Sequence, residues 1–135
     1  MTNASDVVHL TIDAAHFDDI PGFYAEINRV FMANEEWALG HSLDALDDLL
    51  YGAYGAAKGA GLVYLHWTNI EKSRHDLGLD ATRNWLSQKL DRPEHFNRKL
   101  ITDQLQALED GSGQTFFDIV LEIFASHASL KLISA

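Results

Sequence analysis

The 135-residue chain contains no cysteine. That removes disulfides, thiolate metal ligands and thiol nucleophiles from its possible chemistry. Positive charge is scarce: 10 Lys and Arg stand against 20 Asp and Glu, a net charge of -10. A surface of that sign gains nothing from the counterion release that drives nonspecific nucleic-acid binding, and anionic membranes repel it. No apolar run approaches the roughly eighteen residues of a membrane span. The opening MTNASDVVHL has neither the basic start nor the long apolar core of a secretion signal, so a cytoplasmic location is expected. No GxGxxG, GxxxxGK or HExxH occurs, and the seven histidines form no HxH or HxxxH pair. No metal, cofactor or catalytic constellation is therefore assigned, and an enzyme is not the expected reading.

What is present is enough for one domain. Apolar residues make up 47%, and a chain of this size buries about two-thirds of its unfolded surface. Val8, Leu10 and Ile12 alternate within Val7–Asp13, the period of a strand. Asp18 or Asp19 then offers an N-cap with Pro21 in the first turn, and Phe23, Tyr24, Ile27, Val30 and Phe31 keep helical spacing to about Met32. Residues 34–41 break the period. Ser42 caps a helix that runs to Tyr51, and four glycines punctuate residues 51–61. Leu62–Trp67 has the apolar continuity of a buried parallel strand, which makes His66 the expected core histidine. A short helix over Asn69–Leu77 follows. Residues 79–110 read as two helical pieces divided by Pro93, with Trp85 and Phe96 packing on the body. Thr115 and Asp118 form a capping pair for a helix to about Ser126, and Leu130–Ile133 is a last strand. Strands alternating with helices predict parallel pairing through crossovers.

The charge is unevenly spread. Residues 1–57 hold ten acids against the single base Arg29, whereas residues 72–99 hold seven of the ten bases. Within SLDALDDLLYG (Ser42–Gly52), Asp44, Asp47 and Asp48 fall at i, i+3 and i+4, on one ridge opposite Leu43, Leu46, Leu49 and Leu50. No Lys or Arg in the helix offsets them. At about 7 Å each pair of carboxylates repels by roughly 0.6 kcal/mol in water and about 2 kcal/mol at an effective dielectric of 20. The ridge is mildly unfavourable alone, and a cationic partner removes that penalty.

SLDALDDLL-x-G resembles the acidic second helix of the barstar family of intracellular ribonuclease inhibitors, in which the helix follows a Gly and carries two aspartates four residues apart. Here these are Gly40, Asp44 and Asp48. The element order and the stretch LHWTNIEKSRH resemble the family as well. Counted back without gaps from the last strand, Glu122 falls where the family has an acid. The resemblance implies an α/β fold with a three-stranded parallel sheet, helices packed on it and a helical insertion at 79–110. It also implies that the acidic helix and its preceding loop enter the basic cleft of a ribonuclease or related toxin, with carboxylates standing in for RNA phosphates. The implied partner-binding set is Asp44, Asp48, Asp47 and Glu122, with Trp37, Gly40, His41 and Gly52. Family aromatics are replaced by Ala38 and Leu39 before the Gly, by Asp47 between the aspartates, and by Ala53 after Gly52.

The basic stretch 72–99 supports a second expectation: a regulatory module that uses it for RNA or for pairing with another copy's acidic face. Under the inhibitor reading the chain is a monomer or weakly self-associating, with no membrane partner.

Overall fold

The computed structural model describes residues 6–92 and 97–134. Three strands, β1 (Val7–Asp13), β2 (Leu62–Thr68) and β3 (Leu130–Ser134), form one parallel sheet in the order β1-β2-β3. Helices α1 (Ile20–Phe31) and α2 (Leu43–Leu49) make the first crossover. Helices α3 (Ile70–Asp76), α4 (Leu79–Leu90), α5 (Arg98–Asp110) and α6 (Phe116–Ala125) make the second. Pro93 and Phe96, expected between the helical pieces of the insertion, lie outside the described residues.

Local chemistry starts the helices that position the ridge. Asp19 caps α1 by accepting from the Gly22 N–H at 2.7 Å, and Ser42 caps α2 by accepting from the Ala45 N–H at 3.0 Å. Thr115 and Asp118 close a reciprocal capping box on α6. The apolar stripes then converge on β2, where Trp67 is fully buried among Phe23, Phe117 and Phe124. Its indole N–H donates to Ser73 Oγ at 3.0 Å, so the large ring enters the core with its polar atom satisfied.

Among the described residues, one face of the sheet carries the core and the other stays half-exposed. Val63, Leu65 and Trp67 point into the core, while Tyr64 and His66 alternate onto the other face beside the exposed Val7, His9, Lys131 and Ile133. The apolar run of β2 therefore does not mark a strand buried on both faces. Tyr64 and His66 present amphipathic rings to a half-wet surface, where His9 Nδ1 lies 3.1 Å from His66 Nε2. The expectation of His66 as the core histidine is corrected: among the described residues the buried histidine is His127, 7% exposed in the turn between α6 and β3.

Helices α4 and α5 pack on each other through Leu86, Ile101 and Leu108, a small core of their own. Trp85 joins it to the body by meeting Phe116 edge-on at 5.2 Å. Thr82 Oγ1, buried, accepts from the Phe116 N–H at 2.7 Å and donates to the Gly78 carbonyl.

Candidate functional site

Helix α2 has seven residues. Leu46 and Leu49 fix its inner face in the core, leaving Asp44 and Asp48 exposed on the outer one. With Ser42 at the N-cap, Asp44 lies in the first turn, where the helix dipole favours a carboxylate. The third acid of the ridge differs. Asp47 accepts a hydrogen bond from His127 Nε2 at 2.7 Å, so among the described residues α2 presents Asp44 and Asp48 as its two exposed carboxylates rather than the three equivalent ones read from spacing. The difference arises because α2 packs against α6, which brings the α6–β3 turn beside the ridge. Asp47 remains half-exposed.

The aromatics expected beside this helix are supplied from neighbouring positions. Trp37, 49% exposed, packs on Tyr54. Burial and the nearby Asp48 carboxylate push the Tyr54 phenol up from its ordinary range. Tyr51, 74% exposed, meets His127 edge-on at 4.7 Å. Leu39, at one vacated family position, is buried and fills the core instead. Its backbone is held by Asn28, which accepts from the Leu39 N–H at 2.6 Å and donates to the Leu39 carbonyl at 3.3 Å. The loop ahead of α2 is thereby anchored to α1.

Gly40 is exposed, with open space where a Cβ would stand. Gly52 has φ +82°, the left-handed conformation that ends the helix region. His41 stacks on the buried Tyr24 at 4.9 Å. His41 and Asp44 form one wall of a groove of about 820 Å³ whose other wall is the end of α4, with Trp85, Lys89 and Arg92. Asp48, one turn further along the ridge, does not line this groove. Glu122 is exposed on α6 and accepts from Gln114 Nε2 at 2.6 Å. Sequence reasoning missed His127, Tyr51 and Tyr54 beside this helix, because no spacing along the chain ties them to the ridge.

The basic stretch is largely neutralised within the fold. Lys72 pairs with Asp18 and Asp76, Arg74 with Glu71, Arg83 with Asp80 and Glu109, and Lys99 with Asp103. Among the described residues, no group of three or more His, Asp and Glu side chains could hold a metal ion. No helix of the described residues is long and apolar enough to cross a membrane.

A capped two-aspartate helix in this element order is matched by the family model for Barstar (barnase inhibitor) over residues 7–92. The chain belongs to the barstar family. The match takes in β1, the acidic helix, β2, α3 and α4, and therefore more than half of the chain. This is an inhibitor family rather than an enzymatic one, and its kind of partner is a ribonuclease. No curated protein and no solved structure matches the chain significantly.

Proposed function

We propose that this barstar-family protein blocks the basic active-site cleft of a ribonuclease or related nuclease toxin with α2 and the loop before it. The observation that carries this reading is the pair Asp44 and Asp48, exposed one turn apart on a capped helix that has no basic residue. Such a pair matches the spacing at which two cations grip successive phosphates, and arginines would meet it with bidentate geometry. Trp37 and Tyr54 add the rigid, large rings that dominate interface energies. Glu122 is a further anchor on α6, while Gly40 and His41 shape the approach to Asp44 and Gly52 the end of the face. The excess of acid in residues 1–57 steers a basic partner toward this side and makes association salt-sensitive. In this role the protein is a cytoplasmic immunity protein of a bacterium, imitating RNA to protect the cell that makes the nuclease.

The experiment is titration of barnase with this protein while RNA cleavage is followed at rising salt. Inhibition that weakens with salt, and that falls by about a thousandfold in the Asp44→Ala, Asp48→Ala double variant, is the expected result. Unchanged inhibition in that variant would sink the assignment of the two carboxylates. Use of residues 72–99 for RNA is disfavoured, since four of their cations are already committed to carboxylates of the same chain.

A further inference from the structure

The ridge depends on a residue that is not part of it. His127 follows α6, and its backbone is held from both sides: its N–H donates to the Phe124 carbonyl at 3.3 Å, and its carbonyl accepts from the Leu130 N–H of β3 at 3.1 Å. The imidazole is thus planted in a rigid connector, and its side chain is 6% exposed. From there Nε2 carries the hydrogen that Asp47 Oδ1 accepts, across 80 residues of sequence. The same ring braces Tyr51, the first residue beyond the α2 C-cap Leu50.

Helix α2 needs such a support. Two turns of helix have little stability of their own. Its last turn has no basic residue to balance the dipole, and its three acids repel one another. Leu46, Leu49 and Leu50 set which face of the helix is buried. One directional bond from a buried donor to the middle carboxylate restrains the remaining rotation about that apolar contact. It also gives the middle carboxylate a partner within the fold, leaving Asp44 and Asp48 as the outward pair.

The geometry points to His127 as a positioning residue: it locks the rotation of α2 through Asp47 and Tyr51 and so sets which two carboxylates a partner meets. This deepens the inhibitor reading and rests on it for its binding consequence, but the locking itself is a property of the free protein.

Three single variants and the His127→Ala, Asp47→Ala double variant test it by hydrogen exchange of the α2 amides in the free protein, followed by titration against barnase. His127→Ala removes donor and ring. His127→Gln keeps a donor at the position of Nε2. Asp47→Ala cuts the same bond from its half-exposed end without opening the core. Exchange of residues 46–50 is expected to quicken by about tenfold in His127→Ala and in Asp47→Ala, no further in the double variant, and to return toward wild type in His127→Gln. Inhibition should follow the same order. Exchange in α2 that is unchanged by both alanine variants, or a His127→Gln protein no better protected than His127→Ala, overturns the proposal. If wild type fails to inhibit barnase while the exchange pattern holds, the inhibitor reading fails for that enzyme and the lock stands.

Discussion

Trp37 lies against Tyr54, with ring centroids 4.9 Å apart and planes tilted by 57°. The two come from different loops, one before α2 and one after it, so the contact closes an aromatic edge along the acidic helix. Tyr54 supports Trp37 from beneath and costs the free protein little, because half of Trp37 already faces water. Removing the ring should therefore separate binding from folding. Trp37→Ala is expected to weaken barnase inhibition by about thirtyfold, near 2 kcal/mol, while shifting unfolding by less than about 1 kcal/mol. A titration set beside a urea melt checks both, and equal losses in the two would assign Trp37 to the core rather than the interface.

Glu26 should govern acid stability. Its carboxylate is buried and accepts from Arg29 Nε and Nη2 at 2.8 and 2.9 Å, from the Asp13 N–H at 2.9 Å, and from His16 Nδ1. Burial alone raises such a carboxyl, but Arg29, the Asp13 N–H and His16 outweigh it and hold the group at about 2. Because the folded value lies below the ordinary 4.5, the stabilisation is complete above that ordinary value and is lost as pH falls toward 2. Urea melts should show about 3 kcal/mol disappearing over this window. Glu26→Gln should be less stable at neutral pH and nearly flat over the same acid range. An unchanged acid slope in the variant would place the sensitivity elsewhere.

Lys72 ties the chain after β1 to α3. Its ammonium shares three hydrogens among four acceptors, the carbonyls of Ala14 and Phe17 at 3.1 and 2.5 Å and the carboxylates of Asp18 and Asp76 at 2.8 and 2.6 Å. The carboxylate contacts are partly exposed and screened, so the two carbonyls carry most of the effect. Lys72→Met should cost about 1–2 kcal/mol. The loss should persist in about 1 M salt, where surface ion pairs fade. A loss that salt abolishes would reverse the weighting.

The part of the fold legible in sequence is the part decided locally. Asp19, Ser42 and the Thr115–Asp118 pair act within three residues of their partners, so each helix start could be read from spacing. The alternation of β1 and the two-aspartate ridge are equally local. His127 and Asp47 meet only because α6 and α2 pack together, and neither residue's neighbours signal the other. His66 was misread for a related reason. A strand period places His66 and Tyr64 on one face, but whether helices cover that face is settled by the crossovers.

Gly55 offers a sharper test of how the aromatic edge is built. It has φ +81°, and a Cβ there would stand 2.8 Å from the Phe31 carbonyl oxygen. That oxygen already accepts from the Ala56 N–H at 2.7 Å, while the Gly55 N–H donates to Glu35 Oε1 at 3.1 Å. The loop bearing Tyr54 is thus sewn to the end of α1 and to the loop bearing Trp37. Alanine at this position must both strain the backbone and push the Phe31 carbonyl away. Gly52 provides the control, since it has nearly the same φ but its nearest neighbour would be the Ala57 carbonyl at a comfortable 3.5 Å. Gly52→Ala should cost about 1 kcal/mol, the left-handed penalty alone. Gly55→Ala should cost about 2–4 kcal/mol in urea melts. The difference measures the Phe31 contact, and equal costs at the two glycines would mean that φ alone demands glycine at residue 55.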